Sequence, residues 1–259
     1  MVSLTTKSQM IKVDTALWTS DSMRAWEEVN EAFLKGEGPF HFRFDSKALY
    51  VYDVILGITN PQVDPNFDFG RHFNYTINKW KTLVSNYLDK DELESVKEEV
   101  KSCGKKVYNI AMQFTNKHGH GKNCLLSMIF SKRFSEEKPT VTVFLRASEV
   151  TKRLIVDLLF FQRMGEYVYD GQPFKLVIHF NQLFQDDAVL LMYHAHKDLR
   201  KFFKDKSGAR KEKLLAQLNK MLETNPEDIK YKVHRRAAKV LHPELYKYPK
   251  TLAKDCQLF

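Results

Sequence analysis

The 259-residue sequence predicts an α+β fold: a mixed or mostly antiparallel sheet backed by helices. Two observations carry this. Some apolar stretches alternate residue by residue or are rich in β-branched and aromatic residues, while others repeat at helical spacing. The two kinds are mixed without the regular strand–helix alternation of a doubly wound parallel sheet. Hydrophobic residues make up 43% of the chain and aromatic residues 13%, enough for a sizeable core and far from a disordered composition.

Residues 1 to 20 carry little signal. Met23 to Leu34 places apolar residues at helical spacing and stops at the breaker Gly36-Glu37-Gly38-Pro39. Phe40 to Phe44 alternates, and Ala48 to Gly57 reads as a second strand. Phe67 to Leu88 reads as a loop leading into a helix whose apolar face holds Phe73, Ile77, Trp80, Leu83, Val84 and Tyr87. Asp89 to Lys101 has the Glu-to-Lys spacing of an exposed helix, ended by Cys103-Gly104, and the strand Val107 to Phe114 follows. The polar stretch from Thr115 to Lys122 is a loop. Its His118 and His120 lack further ligands at workable spacing, so no metal site is expected. After the central stretch described below come a helix through Met164, a strand from Phe174 to Phe184, the apolar segment Val189 to Leu199, and two helical segments, 211–222 and 227–241.

The formal net charge of +9 is concentrated at one end. From Lys197 to Lys254 there are 17 Lys and Arg against 7 Asp and Glu, so this segment accounts for the whole excess. The chain therefore divides into residues 1–203, a catalytic-type domain, and 204–259, a basic helical C-terminal extension. Such an extension suits nucleic acid or an acidic partner enzyme, or is a solvated helical face. Cys103, Cys124 and Cys256 form no disulfide or metal pattern, and an odd count fits a reducing compartment. With no membrane-span-length apolar run and no signal-peptide pattern at Met1, the expected localisation is cytoplasmic, with no membrane partner.

The chemistry is expected between Asn123 and Asp157. Cys124 opens an apolar run, a charged turn follows, a β-branched run ends at Arg146, and a helix-like segment carries Glu149 and Asp157. Antiparallel pairing of the two runs brings Cys124 close to Arg146. A guanidinium beside a thiol favours the nucleophilic thiolate. The plain alternative is a buried strand cysteine and an ion-paired arginine.

The order Cys124, Arg146, Glu149, Asp157 resembles the active-site order of the thymidylate synthase superfamily. An aspartate at the last position is similar to the phage deoxycytidylate (dCMP) hydroxymethylases. Gly57, Asp64-Pro65, the F-x-F-G turn at Phe67 to Gly70, and Tyr75 followed by Trp80 resemble the same branch. So do Lys105-Lys106, a little under twenty residues before Cys124, and Tyr193 with His196. The resemblance spans roughly residues 50 to 200. It implies a thymidylate synthase-like fold and a homodimer in the cytoplasm, the host's if the protein is phage-encoded. The implied activity is a one-carbon transferase acting at C5 of a pyrimidine nucleotide with 5,10-methylenetetrahydrofolate, for modified DNA precursors.

In that reading Cys124 is the nucleophile and Asp157 reads the base. Arg146, with Lys105 and Lys106 from the neighbouring subunit, holds the phosphate; Ser148 lies in the substrate-binding motif, and Tyr193 and His196 meet the sugar. Cytosine presents an acceptor at N3 and an amino donor at N4, which a protonated carboxyl matches; uracil presents the reverse and suits an amide. The plain alternative for Asp157 is an acid paired with Arg153, four residues earlier. The sequence departs from the family at several positions. Two lysines replace two arginines, losing bidentate phosphate geometry; Ala147 replaces the motif serine, Glu149 the motif aspartate, and Leu191 the first histidine of the sugar element. Lys79 falls where the family's general acid/base glutamate is expected. That last departure favours the alternative of a catalytically silent or chemically altered homologue that binds nucleotide, nucleic acid or a partner.

Overall fold

The computed structural model describes residues 16–36, 40–44, 48–104, 106–114, 124–134, 136–186, 216 and 249–259. Seven strands form one mixed sheet: β1 (Ala16–Asp21), β2 (Arg43–Phe44), β3 (Ala48–Asn60), β4 (Tyr108–Gln113), β5 (Leu125–Lys132), β6 (Thr140–Glu149) and β7 (Lys175–Asp186). Six of them run in the order β1-β3-β7-β6-β5-β4, and β2 pairs with β3. The pairs β1–β3 and β6–β7 are parallel; the others are antiparallel. The helices are α1 (Ser22–Lys35), α2 (Phe69–Phe73), α3 (Ile77–Tyr87), α4 (Lys90–Cys103) and α5 (Arg153–Val168). The expected α+β class, a mixed sheet backed by helices, is what the chain adopts.

Alternation on the strands shows which face is covered. Along β4 every second residue is buried, and β7 repeats the pattern over most of its length. The buried face meets α5, whose Leu154, Ile155, Leu158, Leu159, Phe161 and Met164 are essentially inaccessible. An α-helix apolar on nearly every side belongs inside a core, and α5 forms the crossover between parallel β6 and β7. A Cβ at Gly165 would lie 2.2 Å from the Phe174 ring, so only glycine lets the strand entry pack this close to the helix.

The end of the chain belongs to this unit. Residues 249–259 cross α2, α3 and α5: Phe69 N–H donates to the Thr251 carbonyl (2.8 Å), and Ala253 N–H donates to that of Phe67 (3.0 Å). Arg163 on α5 donates to the carbonyls of Cys256 (3.0 Å) and Ala253 (3.1 Å). These residues lie on the extension side of the expected boundary at 203/204; the boundary itself, the expected segment 227–241 and all of 211–222 except the helical Ala216 fall outside the described residues.

Two expectations need adjusting. A strand, β1, stands within the first 20 residues, paired in parallel to β3 at the sheet edge with Trp18 exposed. The expected Phe67–Leu88 element is two helices, because Asn74 adopts a left-handed conformation (φ 51°) and Thr76 caps α3 by accepting from Lys79 N–H.

Candidate functional site

The two runs of the central stretch do pair antiparallel, with Leu125 opposite Leu145, and Arg146 N–H donates to the Cys124 carbonyl at 2.7 Å. The irregularity between Leu125 and Ser127 bends β5 next to the cysteine. At this end of β5 lies a cavity of about 150 Å³ whose walls include Tyr87, Cys124, Ser148, Glu149, Arg153 and Asp157. The remaining walls, among them Leu83, Leu145, Phe160 and Phe161, are apolar. A volume of this order takes one benzene-sized ring.

Each polar group has a defined local reason for its place. Asp157 stands one turn into α5 on the same face as Arg153. Ser148 Oγ donates to Asp157 Oδ2 at 2.7 Å, which fixes the carboxyl. Burial pushes the Asp157 carboxyl above the usual aspartate range, against the opposing effects of Arg153 and the Ser148 hydrogen bond. It keeps some accessible surface only because it faces the cavity. Burial works against the charge on Arg153, but Asp157, Tyr75, Tyr87 and Cys124 together hold its guanidinium protonated. Tyr87, at the last turn of α3, accepts at its hydroxyl from Cys124 N–H (3.2 Å), and burial raises its pKa. The Tyr75 hydroxyl is buried without a hydrogen-bond partner among the described residues, and burial raises its pKa too.

Glu149 ends β6 and is 6% exposed. Its two oxygens accept from Thr151 N–H (3.0 Å) and Lys152 N–H (2.8 Å), so it satisfies the amides that lead into α5, where Lys152 itself offers no side-chain cap. Burial nonetheless pushes its pKa up to about 7.

Of the expected site residues, Cys124, Asp157 and Ser148 line one cavity. Arg146 is exposed and is not part of the cavity wall; strand alternation puts it on the same face of β6 as Phe144, opposite the cavity-lining Leu145. Lys106 is exposed, in the turn before Tyr108, which pairs with Lys132 at the far end of β5. The eight residues of β5 put it about 25 Å from Cys124 of the same chain. Lys105, Tyr193, His196, His118 and His120 lie outside the described residues. Arg153 and Tyr87 are the wall residues that sequence reasoning placed elsewhere: Arg153 entered only as a surface partner for Asp157, and Tyr87 as part of an apolar helix face. The i, i+4 spacing from Arg153 to Asp157 was the available signal.

Among the three thiols the surroundings differ. Cys256 is fully buried and burial pushes its pKa up to about 12, whereas Cys124 is half-buried at the cavity. Among the described residues no cluster of three or more His, Cys, Asp or Glu side chains could hold a metal ion. No described helix is long and apolar enough to cross a membrane. Comparison with protein-family models and with curated proteins returned no match.

Proposed function

We propose that the protein is a pyrimidine-nucleotide C5 transferase of the dCMP hydroxymethylase type, with Cys124 as nucleophile and Asp157 as the base-reading residue. The observation that carries this reading is the convergence of a half-buried thiol and a carboxyl fixed by Ser148 on a cavity the size of one six-membered ring. Burial favours the neutral form of Asp157, the form that can donate to N3 of cytosine while accepting from its N4 amino group. With the base inside, the sugar and phosphate project outward from the cavity. The thiolate of Cys124 bonds to C6, and the C5–C6 π pair shifts to C5 as a carbon nucleophile.

The described residues carry the reaction to that carbon nucleophile. One ring fills the cavity of about 150 Å³, so methylenetetrahydrofolate, the donor the resemblance implies, would have to meet the base from outside it.

A homodimer is part of the proposal. Lys106 stands too far along β5 to serve its own Cys124, so a phosphate role requires a second chain. The sheet face turned away from α5 supplies a surface for that chain: Phe144 and His179 stack there at 4.8 Å, both only half-buried. Light scattering is expected to give a mass near twice 30.4 kDa; a monomer that binds nucleotide fully would remove Lys105 and Lys106 from the site.

The test of the base assignment is Asp157→Asn. At nearly constant size it replaces a carboxyl, whose proton can sit on either oxygen, by an amide whose donor and acceptor positions are fixed. Each buried group left unpaired by the wrong base costs on the order of 1–3 kcal/mol, so dCMP binding should weaken roughly ten- to a hundredfold while dUMP binding improves. Both nucleotides are titrated against both proteins, and an unchanged affinity ratio excludes Asp157 as the reader.

One observation favours a second reading, a nucleotide-binding protein without turnover. Lys79, where a general acid/base would be needed, is tied down by donating from Nζ to the Asn74 carbonyl at 2.9 Å. Mixing the protein with dCMP, dUMP and methylenetetrahydrofolate separates the two: a one-carbon mass increase on a nucleotide means transfer, and binding without any increase means a silent homologue.

A further inference from the structure

A second hollow, larger than the cavity at Cys124, lies among the described residues at the other end of β5. Its volume is about 410 Å³, and its walls come from four places: the end of α4, the facing ends of β4 and β5, the β5–β6 connection and the turn after α5. We propose that it is a second ligand site, taking a phosphorylated ring compound of mononucleotide size. Small-molecule sites have volumes of roughly 300–1,000 Å³, a range that includes this hollow.

The charge in the walls selects an anion. Lys101, Lys132 and Lys138 stand against Glu137 and Asp170, and Asp170 is already met by Lys97 Nζ at 2.6 Å. Lys132 and Lys138 are half-buried, yet neither has a hydrogen-bond or ion-pair partner among the described residues. With Asp170 already taken by Lys97, three lysines against the single carboxylate of Glu137 leave the concavity net positive, which favours a phosphate there.

The rest of the wall is suited to a ring. Val100, Val168, Pro139 and Pro173 give apolar surface, and Tyr108 and Tyr169 form a buried floor. That floor is already satisfied and rigid: Tyr169 Oη accepts from Ser131 N–H (3.2 Å) and donates to the Thr140 carbonyl (3.1 Å). Gly104, at φ 58°, turns the chain at the rim. The length of β5, about 25 Å, separates this hollow from Cys124, so the two sites do not compete.

Isothermal titration calorimetry with dCTP, ribose 5-phosphate and inorganic phosphate tests the proposal. Four proteins are used: the unmodified chain, Lys132→Ala/Lys138→Ala, Asp157→Asn for the first cavity, and Lys35→Ala/Lys81→Ala as a charge-matched control away from the hollow. Ribose 5-phosphate, which has no base for the Cys124 cavity to read, should bind saturably, at least tenfold more weakly to Lys132→Ala/Lys138→Ala and unchanged to Lys35→Ala/Lys81→Ala; dCTP should keep in Asp157→Asn a saturable component that Lys132→Ala/Lys138→Ala loses. Absence of saturable binding, equal binding by the Lys132/Lys138 variant, or equal weakening by the Lys35/Lys81 control overturns the site. Inorganic phosphate binding as tightly as the ring compounds overturns the ring-holding part of the proposal.

Discussion

Trp80→Ala is expected to lower the unfolding free energy by about 3–5 kcal/mol, the range for removing a large aromatic side chain from a core. Trp80 is 1% exposed, packs edge-on against Phe160 of α5, and donates from Nε1 to the Gln257 carbonyl at 2.6 Å. It therefore joins α3, α5 and the terminal segment, and its loss should also release that segment. Trp80→Phe retains most of the volume and removes only the indole N–H; about 1–2 kcal/mol is expected there. Gly70→Ala should release the same segment by a different route, because its Cβ would stand 1.7 Å from the Pro249 carbonyl oxygen. Urea denaturation reads the first two effects, and limited proteolysis at Lys250 and Lys254 reads the release. A loss below 1 kcal/mol for Trp80→Ala, with unchanged proteolysis, would mean that the terminal segment is held elsewhere.

What could be read from the sequence follows from where period and environment agree. Strands β3, β4, β5, β6 and β7 carry β-branched and aromatic runs that a half-covered sheet requires, and α1 and α4 end at glycines with a positive φ. The edge strand β1 was hidden because its Thr-Ser-Asp end is polar and its Trp18 faces outward, so no periodicity survives. Residues 249–259 were read as the tail of a basic extension, yet Ala253 and Cys256 are fully buried; the lysines around them dominated the composition and masked three short apolar contacts. At the site, adjacency of Cys124 and Arg146 along the backbone was legible from two runs and a turn. Which cation faces the thiol was not, because side-chain direction at the end of β6 depends on the tertiary path into α5, and that path brings Arg153 to the cavity wall.

Glu149 should make the protein less stable as pH rises through mildly acidic values, opposite to the usual behaviour of ion-paired carboxylates. Burial raises its pKa from 4.5 to about 7, against the three backbone N–H groups, of Lys152, Thr151 and Arg153, that favour the ionised form. Between those two values the unfolded chain has released the proton while the folded chain still holds it. The folded state then binds more protons than the unfolded one, so the unfolding free energy falls with increasing pH through this window and levels off above about 7. A shift of this size corresponds to about 3 kcal/mol across the window. Asp157, also raised by burial, adds a slope of the same sign. Glu149→Gln does not titrate, so its stability should follow a visibly flatter course. An amide cannot accept from both Thr151 N–H and Lys152 N–H, and the variant should also start about 1 kcal/mol lower at pH 4.5. The two curves therefore approach one another as pH rises and cross before neutrality. Urea unfolding of both proteins from pH 4.5 to 8 measures this, and parallel curves would mean that Glu149 is ionised throughout, held by its backbone donors rather than opposed by its burial.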